Sequence, residues 1–228
     1  MKRTIQRVLR RTRRLLGRSP SPSLGETFTS SADYWERRYA AGYTSGAGSY
    51  GKFAEFKAGM LNDFVAEKEV RSVIEFGCGD GRQLGLARYP DYTGLDVSEA
   101  AVRACREMFA GDPAKRFHLY DPGRFPGEAG EFRAELSLSL DVIYHLVEDG
   151  VFETHMKHLF GSAERFVIIY SSDHDEWPKR HVRHRRFSAH AAARFPGWAL
   201  AGRVPNPYPA ETEGKEGACS DFYIYERA

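Results

Sequence analysis

The chain has 228 residues, 42% of them hydrophobic, which is enough for one sizeable core and cramped for two full domains. Its net charge of +2 hides an asymmetry: Lys2, Arg3, Arg7, Arg10, Arg11, Arg13, Arg14 and Arg18 fall in the first 18 residues with no acid among them. The remaining 25 basic and 31 acidic residues make a body of about −6, which argues against a surface built to coat nucleic acid.

Cys78, Cys105 and Cys219 are odd in number and widely separated, so they form neither a disulfide framework nor a CxxC metal site, and a reducing cytoplasm is the default location. No apolar run approaches the ~20 residues that cross a bilayer, and the N-terminal region lacks the apolar core of a secretory signal.

Residues 1–25 divide into a basic tail and a Pro/Ser linker. In KRTIQRVLRRTRRLLG, Ile5, Val8, Leu9, Leu15 and Leu16 fall near one helical face with arginines over the rest. Such a helix suits the surface of an anionic membrane, giving peripheral contact through residues 1–18 at the inner membrane face; a disordered basic arm and an organellar presequence remain alternative readings. Pro20 and Pro22 then interrupt any helix, and the folded domain is expected over 26–228.

Ser31 to Phe53 is rich in aromatic residues (Tyr34, Trp35, Tyr39, Tyr43, Tyr50) and contains the run Ser45-Gly46-Ala47-Gly48-Ser49, the composition of a hinged lid. Helical spacing of Phe53, Phe56, Met60, Leu61, Phe64 and Val65 predicts a helix leading into a strand at Ser72–Phe76. Further strands are predicted at Asp91–Asp96, Arg116–Tyr120, Ala134–Leu140 and Arg165–Ser171, with helices near Glu99–Phe109 and Val147–Phe160 between them. This alternation implies a doubly wound, Rossmann-like α/β fold with helices on both faces of a mostly parallel sheet. Trp198–Val204 and Cys219–Glu226 are joined by a Pro- and Gly-rich loop with no room for a crossover helix, so they are expected to pair as an antiparallel C-terminal hairpin that completes a seven-stranded sheet.

Gly77, Gly79 and Gly81 follow the first core strand, where a strand-to-helix turn at the carboxyl edge of an open α/β sheet binds ligands. A dinucleotide fingerprint fails because its last position falls on Arg82, and Arg82-Gln83 cannot complete a P-loop.

The stretch Glu75-Phe76-Gly77-Cys78-Gly79-Asp80-Gly81 resembles motif I of the class I S-adenosylmethionine-dependent methyltransferases. Asp96, ending the next strand, resembles the motif II carboxylate that accepts the ribose hydroxyls. Asp121 resembles the acidic residue that meets the adenine amino group, and Leu140 in AELSLSLDVIYHL the motif IV residue whose carbonyl meets the methionine amino group. The resemblance runs from about Tyr34 to Ala228. It implies S-adenosyl-L-methionine as cofactor, held by Tyr34, Glu75, Gly77, Gly79, Gly81, Asp96, Val97, Asp121 and Leu140.

Acceptor chemistry is expected from the fourth and fifth strands. His145, or His181 with His184, is a general-base candidate because imidazole titrates near neutral pH. Asp141, Asp173 and Asp175 are the alternative, as ligands of a Mg²⁺; a solvated basic loop without chemistry also remains open. Arg183, Arg185 and Arg186 suit a carboxylate or phosphate on the acceptor, with Tyr144 beside them. The resulting expectation is O-methylation of an anionic sugar, glycolipid or secondary metabolite. A non-catalytic cofactor- or partner-binding module stays open, as does a protein or RNA methyltransferase, although Leu-Asp-Val-Ile stands where many amino-group methyltransferases carry Asn/Asp-Pro-Pro-Tyr.

Overall fold

A computed structural model describes residues 28–126, 132–214 and 217–228; the tail and linker expected at 1–25 lie outside the described residues. Among the described residues six helices, α1 (Ser31–Ala40), α2 (Gly51–Glu67), α3 (Glu99–Met108), α4 (Asp149–Gly161), α5 (Phe187–Arg194) and the short α6 (Ala210–Glu213), accompany nine strands. These are β1 (Val73–Phe76), β2 (Tyr92–Asp96), β3 (Lys115–Leu119), β4 (Ala134–Leu140), β5 (Ala163–Ser171), β6 (Glu176–Lys179), β7 (Val182–His184), β8 (Trp198–Val204) and β9 (Asp221–Arg227). Among the described residues no helix is long and apolar enough to cross a membrane.

The main sheet runs β3-β2-β1-β4-β5-β9-β8. Strands β1 to β5 are mutually parallel, and β9 enters antiparallel between β5 and β8. The C-terminal hairpin is thus present, with its second strand inserted rather than added at the edge. Leu61, Phe64 and Val65 of α2 join Val102 and Cys105 of α3 over one face of the sheet. Phe152, Met156, Leu159 and Phe160 of α4 join Phe187 and Ala191 of α5 over the other. All residues of β1 and β4 are buried, as central parallel strands require. Because β1 lies between β2 and β4, the chain leaves it in one direction and returns on its other side, which opens a crevice at its carboxyl end.

The structure differs from expectation after β1. The glycine turn leads to a single 3₁₀ turn, Leu84–Leu86, instead of a helix. Only nine residues separate Gly81 from Asp91, and Pro90 disfavours helical backbone before it. α2 secures this turn: Asn62 donates from Nδ2 to the Leu86 carbonyl (3.0 Å) and accepts from the Arg88 N–H (2.7 Å), and Gln83 donates to the Ala54 carbonyl. No helix dipole therefore points into the crevice from this turn.

The glycines themselves are explained mainly by protein neighbours. Gly77 has φ +88°, and a Cβ there would collide with Val142 Cγ2. At Gly79 (φ +59°) it would lie 2.5 Å from Ser45 Oγ and 2.9 Å from the Tyr39 hydroxyl; Gly81 faces Cys105 and Phe109. Strain and overpacking together set the cost of Gly77→Ala at about 2–4 kcal/mol. A urea midpoint lowered at unchanged slope is the expected measurement, and an unmoved midpoint would show that the turn tolerates a side chain.

The polar stretch after β5, for which a solvated basic loop is one of the readings the sequence leaves open, forms the β6–β7 hairpin and then α5. Asp173 fixes the start of α5, accepting from the Ser188 N–H (2.9 Å) and hydroxyl (2.6 Å).

Candidate active site

A cavity of about 400 Å³ occupies the crevice at the carboxyl ends of β1, β2 and β4. Its lining includes Glu75, Gly77, Gly79, Asp96, Val97, Asp121, Leu140 and His145. Of the residues expected around a cofactor, Tyr34 and Gly81 do not line it: Tyr34 is buried behind, stacked on His181 with centroids 4.7 Å apart. Trp35 and Tyr39 of the same helix take the lining positions.

Asp96 is held by the turn it faces. Its Oδ2 accepts the Gly79 N–H and its Oδ1 the Ser98 N–H, each at 2.9 Å. A carboxylate has about four lone-pair sites, so two remain for a diol. Burial pushes the Asp96 carboxyl up to about 6, and the two N–H groups moderate the rise. Burial likewise pushes Glu75 up to about 7, although Tyr92 donates its hydroxyl to Oε2 at 2.6 Å and Lys57 lies near. Asp121 is exposed, two residues past β3, and accepts from the Gly123 N–H. Among the described residues the cavity wall carries five carboxylates (Glu75, Asp96, Asp121, Asp141 and Glu148) against a single lysine, Lys57.

Lys57 has only 1% of its surface exposed, and its Nζ contacts Asp141 Oδ2 at 2.6 Å. Asp141 follows β4 with φ +59°, a rare conformation for a side chain larger than glycine. Its Oδ1 accepts from the hydroxyls of Tyr144 (2.9 Å) and Ser220 (3.3 Å). The positive-φ backbone and the ion pair with the enclosed Lys57 thus coincide at this residue.

α1 and the turn after it cover the cavity, fastened at three places. Ser45 and Asp80 exchange bonds: the Ser45 N–H donates to the Asp80 carboxylate (3.0 Å), and the Asp80 N–H donates to Ser45 Oγ (3.1 Å). Glu36 accepts from the Ser98 hydroxyl (2.6 Å) and the Ala100 N–H (3.3 Å). The Ser31 N–H donates to Glu148 (2.8 Å), and its hydroxyl to the His145 carbonyl (2.7 Å).

The three candidate histidines separate. Of the three, His145 lines this cavity, between the rings of Trp35 and Tyr144. Its Nδ1 faces the His181 carbonyl at 3.2 Å; a carbonyl only accepts, so Nδ1 carries the proton and Nε2 the free lone pair. Burial holds the imidazole down at about 4. His184 bonds Ser172 Oγ through Nδ1 (2.6 Å) and lines a second cavity, and His181 lines neither.

The metal candidates also disperse. Asp141 is paired with Lys57, Asp173 caps α5, and Asp175 accepts the Arg186 N–H at 3.0 Å. Among the described residues, metal-competent groups gather at His174, Glu176 and His184, whose ligand atoms lie within 4.8 Å of one another.

Two of the three arginines expected to grip an anion hold the protein instead. Arg185, buried, donates to the Leu146 and Val147 carbonyls and to Asp149. Arg183 donates to the Val147 carbonyl (3.0 Å) and pairs with Asp149 (2.9 Å). They fasten the β6–β7 hairpin to the segment after β4. Arg186 is exposed.

Sheet order, switch-point crevice and glycine turn together define a Rossmann-like α/β protein with a nucleotide-sized site. No protein-family model matches the chain. N-methyltransferase NodS from Bradyrhizobium japonicum WM9, solved with S-adenosyl-L-homocysteine, superposes with a TM-score of 0.64 at 14% identity, covering 87% of this chain and 99% of that one. Magnesium protoporphyrin IX methyltransferase from Synechocystis PCC 6803 gives 0.60 at 16% identity, covering 86% and 98%. The methyltransferase domain of bacterial CtHen1 gives 0.59 at 16%, covering 76% and 98%. A curated relative, EEF1A lysine methyltransferase 4 of Mus musculus, is 28% identical over 103 residues, 43% of this chain and 39% of that protein, so the match spans well under half of either. The chain has the fold of the class I S-adenosylmethionine-dependent methyltransferases.

Proposed function

We propose that the protein transfers the methyl group of S-adenosylmethionine to a hydroxyl of a sugar-containing acceptor. The observation that carries the cofactor reading is the cavity wall: five carboxylates against one lysine suit a ligand of net positive charge, and Asp96 retains acceptor sites where a ribose diol would lie. The residues present therefore fit this cofactor, with Glu75, Gly77, Gly79, Asp96, Val97, Asp121 and Leu140 holding it.

When bound, S-adenosylmethionine supplies an electrophilic sulfonium methyl. The chain's own contribution is orientation, exclusion of water and management of one proton. α1 and the turn after it act as the lid, held shut by Ser45 on Asp80 and Glu36 on Ser98. His145 presents an unprotonated Nε2 to the cavity and takes the hydroxyl proton. The acceptor's recognition by charge, expected at three arginines, is reduced to Arg186, because Arg183 and Arg185 are engaged by Asp149 and backbone carbonyls.

Calorimetry tests the cofactor site. Asp96→Ala should weaken S-adenosylmethionine binding by ~1–3 kcal/mol, the worth of hydrogen bonds to a charged group. The wild-type affinity should also depend on pH with a defined sign. Asp96 accepts hydrogen bonds as the carboxylate and burial pushes it up to about 6, so affinity falls as the pH drops through that value, by no more than loss of the side chain costs. Equal affinity for Asp96→Ala, or no loss of wild-type affinity between pH 6.5 and 4.5, would remove Asp96 from the ribose role. Methyl-labelled cofactor added to a cell extract tests the acceptor class: label in a saccharide or glycolipid fraction is expected, and label confined to protein or RNA would replace this reading.

A further inference from the structure

A second cavity, of about 630 Å³, lies behind the first, between the N-terminal turn of α2, the turn after β4 and residues 217–220. Asp141 is the residue that lines both. We infer that this second cavity binds the acceptor, and that it accepts an uncharged polyhydroxylated ring, a neutral sugar unit, whose reacting hydroxyl passes Asp141 into the first cavity. The inference rests on the methyl-transfer reading and names the substrate class for it.

Four aromatic rings line the chamber: Tyr50, Phe53, Tyr144 and Tyr170. Aromatic walls with a few placed polar groups match a ring that has apolar C–H faces and hydroxyls around its edge. The polar groups are present. Tyr170 lends its ring alone, because its hydroxyl is closed off from the chamber. Asp141 and Ser220 lie at the inner end, already bonded to each other, so a ligand hydroxyl arriving there meets a carboxylate set in place by Lys57 and Tyr144.

Charge chooses between neutral and anionic sugars. Among the described residues the lining carries one carboxylate, Asp141, whose lysine partner faces the other cavity. Lys52, the one lysine among the described lining residues, contacts Glu213 at 2.8 Å and lies over the Tyr208 ring. His184 is held below its ordinary value by burial, which keeps it neutral at pH 7. A phosphate or carboxylate on the ring would thus meet Asp141 without an unengaged cation among the described lining residues to offset it. The +59° backbone at Asp141 coincides with a side chain that stands in the wall of both cavities.

Saturation-transfer difference NMR on the full chain, with and without S-adenosylhomocysteine, tests the site. The probes are methyl α-D-glucopyranoside, glucuronate and glucose 6-phosphate. The neutral glycoside is expected to take up saturation at least about threefold more strongly than either anion. Ala218→Trp, which fills the chamber, and Tyr50→Ala, which removes a wall from the lid side, should each abolish that signal while calorimetric cofactor affinity stays within about twofold. Stronger saturation of the anions, or a glycoside signal that survives both substitutions, overturns the assignment. Failure of the wild type to bind S-adenosylmethionine would instead overturn the methyltransferase reading, and the arm without cofactor still reads the chamber by itself.

Discussion

His145→Ala lowers turnover by about 10²-fold, the lower end of the range for a positioned general base, with cofactor affinity unchanged within about twofold. The magnitude follows from the ring's surroundings. Burial among Trp35 and Tyr144 depresses its basicity to about 4, so it accepts a proton less strongly than an ordinary imidazole. What it gains is constancy: it stays unprotonated, in the tautomer imposed by the His181 carbonyl, across the whole neutral range. Turnover at saturating cofactor should therefore be flat from pH 5.5 to 8, whereas cofactor affinity already falls below about 6 through Asp96. A kcat profile with an acid limb near 6.5, or full turnover in His145→Ala and His145→Gln, would take the base role away from this residue.

Lys57→Ala lowers folding stability by about 3–5 kcal/mol, because deleting one partner of a buried pair leaves the other charge uncompensated. Lys57 is almost wholly enclosed, and its Nζ sits 2.6 Å from Asp141 with the Tyr170 ring 5.3 Å away. At about 2–4 °C per kcal/mol for a chain of this length, the melting temperature should fall by roughly 6–20 °C. Hydroxyls of Tyr144 and Ser220 remain on Asp141 and put the effect toward the lower end. The double variant Lys57→Met/Asp141→Asn, which removes both charges, should recover much of the loss, and a double-mutant cycle measures the coupling. Additive single effects, with no recovery in the double variant, would show that the pair is not coupled in the way its geometry requires.

Much of the fold and the cofactor side of the site is legible in the residue order. A buried strand followed by closely spaced glycines, then a second strand ending in Asp96, are local patterns, because a parallel strand and a positive-φ turn each demand particular residues within a few positions of one another. The same locality explains why β4 and β8 have the bounds that sequence reading assigns them, Ala134–Leu140 and Trp198–Val204.

Lys57 left one signal in the sequence, and it was positional. It lies four residues from both Phe53 and Leu61, on the buried stripe of α2, where a charge needs a partner. Nothing local names that partner: Asp141 is 84 residues away and meets it only because β4 lies beside β1. The same holds for the arginines. Arg183 and Arg185 carry the same chemistry whether they face a ligand or a neighbouring loop, and only the folding of the β6–β7 hairpin onto Asp149 and the carbonyls after β4 decided that they face the protein. His145, His181 and His184 follow strands equally well in sequence, and the turn after β4 brought one of them to the first cavity, with the β6–β7 hairpin bringing another to the second. Residue order by itself determined the strand–turn–strand scaffold and its cofactor-facing edge, since those depend on backbone conformation over a few residues. The tertiary structure alone decided which charges pair, which imidazole lines the first cavity and where the second cavity lies, because burial and Coulombic partnership depend on which residues the sheet order makes neighbours in space.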